Sequence, residues 1–212
     1  MREETIKIYK FNELNPEAQK RAIQEYRDSI DWDCESEIIS DDFKIELNEL
    51  GLPIDDLEWR LSYSQGDGVA FYGDVDMSVI SRRLLDGENL SLYELIESEG
   101  FMISASIYRN SFGYRYSHWN TMDVEMNGDS ADVITIHLYD LDEDDEQWDE
   151  KLAKIESLIL ELEEKISNDI KEVSRELEKN GYEMISYIES DNAIEEAIES
   201  NDYEYTEDGS VL

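Results

Sequence analysis

The sequence predicts an α+β protein: an antiparallel sheet of about five strands with helices packed on one face and a long acidic C-terminal helix. Apolar residues alternate with polar ones in the middle of the chain, and recur every three or four residues toward both ends. With 212 residues, 40% of them hydrophobic, the chain can bury a core without disulfides or metals. We expect an α+β core over residues 1–141 and an acidic helix and C-terminal segment over 142–212, packed on that core or projecting from it.

Two helices are predicted before residue 51. Asn15 and Pro16 are typical of a helix start, because proline is tolerated in the first turn. A second helix is predicted at about 33–50, where Gly51 and Pro53 end it. The apolar residues expected to face inward from this second helix are Ile38, Ile39, Phe43, Leu47 and Leu50.

The middle of the chain predicts a sheet. Residues 57–63 and 69–75 alternate apolar and polar side chains on either side of the turn-rich segment 64–68, which is typical of a β-hairpin. A helical stretch at about 77–98 follows and is interrupted near Gly87. The further strands of an antiparallel meander are predicted at about 101–107, 114–125 and 133–139.

A long apolar stripe predicts one helix after residue 142, or two helices that join near 167–169. Its residues repeat at intervals of four and three, so the stripe either covers an apolar sheet face, which we favour, or forms a coiled-coil seam. Asn180 and Gly181 predict the end of this helix, and a short strand at 182–188 and a short helix at 192–200 are expected beyond it. The stripe consists of Trp148, Leu152, Ile155, Ile159, Leu162, Ile166, Ile170, Val173 and Leu177.

Charge is the outstanding feature of the composition. There are 55 Asp and Glu against 18 Lys and Arg, a formal net charge of -37, and self-repulsion of that size destabilises a compact chain. Residues 180–212 hold ten carboxylates and no Lys or Arg. Such a surface repels nucleic acid and anionic lipid, so we expect a basic protein as partner, with neither direct nucleic-acid binding nor membrane binding.

Three separate acidic segments are candidates for contact with that partner, with their carboxylates in the place of phosphates. Aromatic residues such as Trp148 and Tyr203 would supply the desolvated anchors that protein interfaces need. The alternative is that the carboxylates form a solvated surface that only keeps the protein soluble. The candidate carboxylates are Asp41, Asp42 and Glu46 in the second helix, Asp142, Asp144 and Asp145 before the long helix, and Glu195, Glu196 and Glu199 near the C-terminus.

The sequence carries no convincing catalytic set. The acidic run at 140–151 resembles the start of a calcium loop, but Asp145 stands where glycine is needed and Lys151 where glutamate is needed. Phosphate-binding loops, dinucleotide fingerprints and nucleophile elbows are missing from the sequence. Cys34 lies among Asp33, Glu35 and Glu37, whereas a nucleophilic thiol needs positively charged neighbours. We therefore predict that the protein is not an enzyme and uses no metal or cofactor.

A second candidate function rests on the polar side of the sheet. Arginine and aromatic side chains together suit recognition of a phosphate and a base, so a nucleotide or another small ligand is the alternative to a protein partner. The simpler interpretation is that these arginines neutralise nearby carboxylates while the aromatic residues pack. The candidate residues are Arg60, Tyr108, Arg109, Arg115 and His118.

Three segments of the chain resemble small acidic proteins encoded by phages and prophages. They are KFNELNPEAQKRAIQEYR at 10–27, LSYSQGDGVAFYGD at 61–74 and NDYEYTEDG at 201–209. The resemblance implies a phage product that acts inside a bacterium. Acidic phage proteins that block host nucleases by mimicking DNA are a recognised functional class, although they share no one fold.

These observations together predict a cytoplasmic anti-defence protein of a bacterial host cell. It would bind and inhibit a host nucleic-acid-binding protein, such as a nuclease, as a monomer or homodimer. The single cysteine fits a reducing compartment. No apolar run approaches the roughly 20 residues that a membrane span needs.

Overall fold

A computed structural model describes residues 7–111, 116–139 and 147–212, and within them the fold is mixed α and β. The strands are β1 (Asp56–Arg60), β2 (Gly68–Asp74), β3 (Ile103–Arg109) and β4 (Met122–Gly128). The α-helices are α1 (Pro16–Asp28), α2 (Trp32–Glu49), α3 (Met77–Leu84), α4 (Gly87–Ser98), α5 (Ala131–Tyr139), α6 (Trp148–Ile188) and α7 (Asp191–Ser200). Short 3-10 turns occupy Phe11–Glu13 and Trp119–Thr121.

The chain divides into two compact units. The first comprises Met1–Ile39 and Asn180–Leu212, which we call the terminal unit, and the second comprises Ser40–Lys179, which we call the sheet unit. The division predicted between residues 141 and 142 differs from this one. The two ends of the chain belong together through long-range pairing, such as the β-bridge between Tyr9 and Tyr205, which local sequence patterns do not reveal.

The terminal unit is built around α1 and α7. The Asn15 side chain caps α1 by accepting the backbone N–H groups of Glu17 and Ala18, both at 3.1 Å, and Pro16 occupies the first position. Residues three and four apart then face the same side and are buried. The core of this unit consists of Phe11, Leu14, Ala18, Ala22, Ile23, Ile194, Ile198 and Tyr205.

The sheet unit contains a four-stranded antiparallel sheet in the order β1-β2-β3-β4. The predicted hairpin is confirmed as β1 and β2, with Leu57 opposite Phe71. Alternate residues of β3 and β4 are buried, so one face of these strands is covered and the other faces solvent. On the covered side, the Trp59 ring meets Phe43 of α2 edge to face, with ring centroids 6.0 Å apart.

The sequence prediction of about five strands is corrected to four within the described residues. Residues 133–139, predicted as the last strand, lie in α5. Their β-branched side chains favour a strand locally, but the consecutive residues Ile134 and Thr135 are both buried, which a half-exposed strand does not allow. The Thr135 hydroxyl donates to the carbonyl oxygen of Ala131 at 2.7 Å, as helical threonines do.

The long helix is confirmed, but it extends further than predicted. α6 runs for 41 residues without a join and continues through Asn180 and Gly181, so the predicted stop and the short strand at 182–188 are wrong. A helical glycine costs only about 1 kcal/mol, and Gly181 itself is buried. Most of the stripe is buried in the single chain, so it covers the chain's own core and is not free to form a coiled-coil seam. Its fully buried members are Ile155, Leu162, Ile166, Ile170 and Leu177.

Candidate functional site

The carboxylates of α7 form an outward-facing acidic surface on the terminal unit. The Ser190 hydroxyl caps this helix by accepting the backbone N–H of Ala193 at 3.2 Å. Ile194 and Ile198 are buried against the core, and this fixes which side of the helix faces solvent. Three glutamates are thereby exposed, and we call them the α7 acidic face: Glu195, Glu196 and Glu199.

Three cations of the terminal unit contact carboxylates outside the α7 acidic face. Arg27 lies 2.5 Å from Asp191, and Arg21 lies 2.8 Å from Asp208. Lys10 lies 3.0 Å from Asp202, and this hydrogen bond is the main cause of the raised pKa of the lysine. Within the described part of the chain, no lysine or arginine forms an ion pair with any glutamate of the α7 acidic face. Within the described residues, no ion pair therefore offsets the charge of that face.

The acidic segment of α2 is less exposed than the α7 acidic face, and a lysine lies beside it. Asp41 and Asp42 are exposed, whereas Glu46 is half-buried. The Lys44 ammonium lies 3.4 Å from a carboxylate oxygen of Asp41 and offsets part of the charge. These residues belong to the sheet unit, whereas the α7 acidic face belongs to the terminal unit.

The third acidic segment, with Asp142, Asp144 and Asp145, lies outside the described residues. Trp148, which follows it, is the first residue of α6 and is half-buried. Its role as an interface anchor stays a prediction.

A groove on the terminal unit was not predicted from the sequence. It has a volume of about 490 Å³, and three tyrosines from distant parts of the chain contribute to its wall, so we call it the tyrosine groove. The chain has 13 tyrosines, but their number does not indicate which of them the fold brings together. The lining residues are Tyr26, Ser29, Ile30, Asp31, Cys34, Glu35, Tyr187, Ile188, Ala193, Ile194, Ala197 and Tyr203.

The tyrosine groove combines aromatic surface with negative charge. The rings of Tyr26 and Tyr203 have centroids 6.3 Å apart and planes inclined by 59°. Burial raises the pKa of the Tyr26 phenol, and the neighbouring Tyr203 and Glu35 raise it further. The Tyr26 hydroxyl is therefore protonated at neutral pH and can donate a hydrogen bond. Asp31 and Glu35 place two carboxyl groups in the same wall.

The arginines predicted for a ligand pocket on the sheet contact carboxylates instead. A guanidinium nitrogen of Arg109 lies 2.6 Å from a carboxylate oxygen of Glu58. The central carbon of the same guanidinium lies 4.5 Å from the ring centroid of Tyr72. The hydrogen bond to Glu58 is the main cause of the raised pKa of Arg109. Arg60 lies 3.9 Å from the buried carboxylate of Asp67. These contacts favour the interpretation that the arginines neutralise carboxylates.

Two of the other predicted sheet residues, Tyr108 and His118, lie within the described part of the chain. Tyr108 is exposed on β3. His118 is half-buried, with its ring 5.5 Å from Tyr116 and 6.2 Å from Trp119 between centroids. Burial lowers the pKa of His118, so its imidazole is neutral at pH 7. Arg115 lies outside the described residues.

An aromatic contact of α6 was also missed by sequence reasoning. The Arg175 guanidinium lies 4.3 Å from the ring centroid of Trp119. Arg175 shares a shallow depression of about 550 Å³ with residues three and four positions away on the same face of α6. The depression mixes both signs of charge, so it does not define an anion site. Its lining residues are Asn168, Lys171, Glu172, Arg175, Glu176 and Lys179.

Among residues 7–111, 116–139 and 147–212, no group of three or more His, Cys, Asp or Glu side chains is placed to hold a metal ion. In the same residues, no helix combines the length and the apolar character needed to cross a bilayer.

The chain matches no protein-family model, no curated protein and no solved structure.

Proposed function

We propose that this protein binds and inhibits a basic nucleic-acid-binding protein of a bacterial host, in particular a nuclease, as a phage-type anti-defence protein in the cytoplasm. Its carboxylates would occupy the channel that nucleic acid normally enters. The observation that carries this proposal is the α7 acidic face, whose three glutamates are exposed and form no ion pair within the described residues.

The charge spacing of this face supports the proposal. Glu195, Glu196 and Glu199 lie along about 6 Å of helix axis and within about 100° of its circumference, since a helix rises 1.5 Å and turns about 100° per residue. That is about one charge per 2–3 Å. One DNA strand carries a charge per about 3.4 Å and the duplex one per about 1.7 Å. A channel built for phosphates would thus meet a similar linear density of negative charge.

The overall charge supports it in a second way. A chain of net charge -37 attracts a basic partner over several ångströms and repels nucleic acid, so association is fast and falls as salt is added. Isolated exposed ion pairs contribute only about 0–1 kcal/mol. Affinity would therefore come from several carboxylates acting together.

The test starts with capture of the partner from bacterial lysate on the immobilised full chain, and its identification by mass spectrometry. The affinity of the purified partner for labelled DNA and RNA is then measured with increasing amounts of this protein. We expect the apparent Kd for nucleic acid to rise in proportion to the amount of protein added. A partner that keeps its full affinity for nucleic acid while bound to this protein would show that the proposal is wrong.

Two variants of equal net charge separate a specific face from general acidity. The first carries Glu195→Gln, Glu196→Gln and Glu199→Gln, and the control carries Glu88→Gln, Glu94→Gln and Glu97→Gln on α4, where these residues are also exposed. We expect the first variant to lose about tenfold or more in affinity, whereas the control loses about twofold or less. Equal losses would indicate that only net charge matters.

A further inference from the structure

The tyrosine groove offers apolar surface that the terminal unit leaves uncovered. Tyr187 is 62% exposed and Tyr203 is 37% exposed, although both line a concave wall beside buried Ile194. Its volume of about 490 Å³ lies within the range of ligand-binding pockets, about 300–1,000 Å³. Concave sites rich in tyrosine are typical centres of protein interfaces, because aromatic rings bury much area and still offer a hydroxyl.

The charge around this groove selects what can occupy it. Asp31 and Glu35 line its wall. Arg27, on the helix that also supplies Tyr26, lies 2.5 Å from Asp191 and donates to the carbonyl oxygen of Glu189 at 3.0 Å. Its charge is thus offset by a carboxylate. The groove therefore combines aromatic and aliphatic side chains with a negatively charged wall.

We propose that the tyrosine groove binds an aromatic or large aliphatic side chain of the basic partner, in a segment where lysine or arginine flanks it. This inference rests on the proposed function, because it assumes a basic protein partner. The apolar side chain would fill the space between Tyr26, Tyr187 and Tyr203, and the flanking cations would approach Asp31 and Glu35.

Charge complementarity separates this occupant from others. A second copy of the chain brings another net charge of -37 to the same surface, so repulsion opposes self-association there. Nucleic acid and anionic lipid are repelled for the same reason. A cationic segment is attracted by the negative charge of the chain. Burial of its apolar side chain away from water makes the binding free energy more favourable.

The first test uses synthetic peptides with the full-length protein. The probe is a fluorescent peptide of about ten residues with a central tryptophan between lysines, and two comparison peptides replace either the tryptophan or the lysines by serine. We expect the probe to bind at least about tenfold more tightly than either comparison peptide. Equal binding of the probe and the peptide without tryptophan would show that the groove takes no apolar side chain.

Matched variants locate this binding. Tyr187→Ala should lower the affinity of the protein for the probe peptide about tenfold, whereas Leu160→Ala should leave that affinity unchanged. Both residues lie on α6 and are similarly exposed, 62% and 64%, but only Tyr187 lines the groove. Glu35→Gln should lower the affinity for the probe peptide more than Glu37→Gln does. Both changes remove one charge from α2, but only Glu35 lines the groove. Equal effects within either pair would overturn the inference.

The only cysteine gives a measurement that does not depend on the folding of a variant. Cys34 is exposed and lines the groove. Reaction of the folded protein with a bulky neutral maleimide should abolish binding of the tryptophan peptide, and bound peptide should slow that reaction, as followed by mass spectrometry. Unsubstituted protein carried through the same procedure without the maleimide should bind the peptide normally. Full binding after complete labelling of Cys34 would place the peptide elsewhere.

The same reagents distinguish this inference from the proposed function. If the maleimide-labelled protein captures the partner as well as unlabelled protein does, while the α7 triple variant fails, the acidic face is used and the groove inference is wrong. If labelling abolishes capture and the α7 triple variant captures normally, the groove is used and the proposed role of α7 is wrong. The mass of the protein in solution tests a third occupant. If the unlabelled protein has twice the mass of one chain, and labelling of Cys34 reduces it to that of one chain, the groove binds a second copy and the inference is overturned.

Discussion

Tyr205 shows how one residue ties the two ends of the chain together. It is fully buried, its ring centroid lies 6.3 Å from that of Phe11, and its backbone exchanges two 2.9 Å hydrogen bonds with Tyr9. In the described part of the chain, its hydroxyl has no hydrogen-bond partner. Burial, followed by the nearby Tyr203, Glu25 and Tyr26, raises the pKa of Tyr205 from 10.0 to about 12.

This shifted pKa predicts a loss of stability at alkaline pH. Between pH 10 and about 12 the unfolded chain releases the Tyr205 proton and the folded chain retains it, so the free energy of unfolding falls as pH rises. The contribution is fully present below pH 10 and amounts to about 3 kcal/mol, since one pKa unit corresponds to about 1.4 kcal/mol. Urea unfolding followed by circular dichroism across this pH range would measure it.

Tyr205→Phe is the matched control for this titration, because it keeps the ring and removes the ionisable group. At neutral pH we expect it to be at least as stable as the natural chain, since it removes a buried hydroxyl without a partner. Above pH 10 its stability should fall less steeply. Parallel pH profiles for the two proteins would contradict the assignment of the shift to Tyr205.

Two ion contacts join α3 to α6 within the sheet unit. The Arg83 guanidinium makes a two-pronged contact with the Asp169 carboxylate, at 2.5 and 2.6 Å. Lys165 donates to the carbonyl oxygen of Leu84, the last residue of α3, at 2.8 Å. The side chains of Arg83 and Asp169 are only 26% and 14% exposed, so this pair is shielded from solvent more than a typical surface pair.

Breaking this pair should destabilise the protein measurably. Asp169→Asn leaves the part-buried arginine without its counter-charge, and we expect a loss of about 2 kcal/mol in the free energy of unfolding, below the roughly 3–5 kcal/mol of a fully buried pair. Glu150→Gln serves as the control, because its pair with Lys154 is exposed on the same helix. That change should cost less than about 0.5 kcal/mol. Similar losses in urea unfolding would argue against the importance of burial at this contact.

At the scale of the whole molecule, the net charge of -37 opposes folding. Carboxylates on α2, α4 and α7 are exposed, and the chain has about three acidic residues for each basic one. Self-repulsion is screened by salt, since the Debye length falls from about 30 Å at 0.01 M to about 3 Å at 1 M. The same charge that would attract a basic partner therefore makes the isolated chain dependent on ionic strength.

We expect the melting temperature to rise by several degrees between about 0.01 M and 0.5 M sodium chloride, because about 1 kcal/mol corresponds to 2–4 °C for a chain of this size. Both triple glutamine variants, on α7 and on α4, should have a higher melting temperature at low salt and a smaller increase with added salt. The two variants should differ little from each other. Differential scanning calorimetry would measure the three curves. A melting temperature independent of salt would indicate that repulsion is already offset in the folded state.

The charge pattern and most helices and strands follow from the sequence itself. The β1–β2 hairpin is predicted by alternation around a turn, and the α6 stripe by its period, because both depend on neighbours within a few residues. The exposure of Glu195, Glu196 and Glu199 follows in the same way from the spacing of Ile194 and Ile198. These features depend on residues that are close together in the sequence, so the order of the residues is enough to predict them.

Only the tertiary structure decided the rest. Residues 133–139 have the side chains of a strand, yet packing that buries Ile134 and Thr135 together makes them a helix. The tyrosine groove brings Tyr26 together with Tyr187 and Tyr203 because the two ends of the chain share one unit. Such pairings depend on contacts between residues far apart in the sequence, where burial of apolar surface outweighs local propensity.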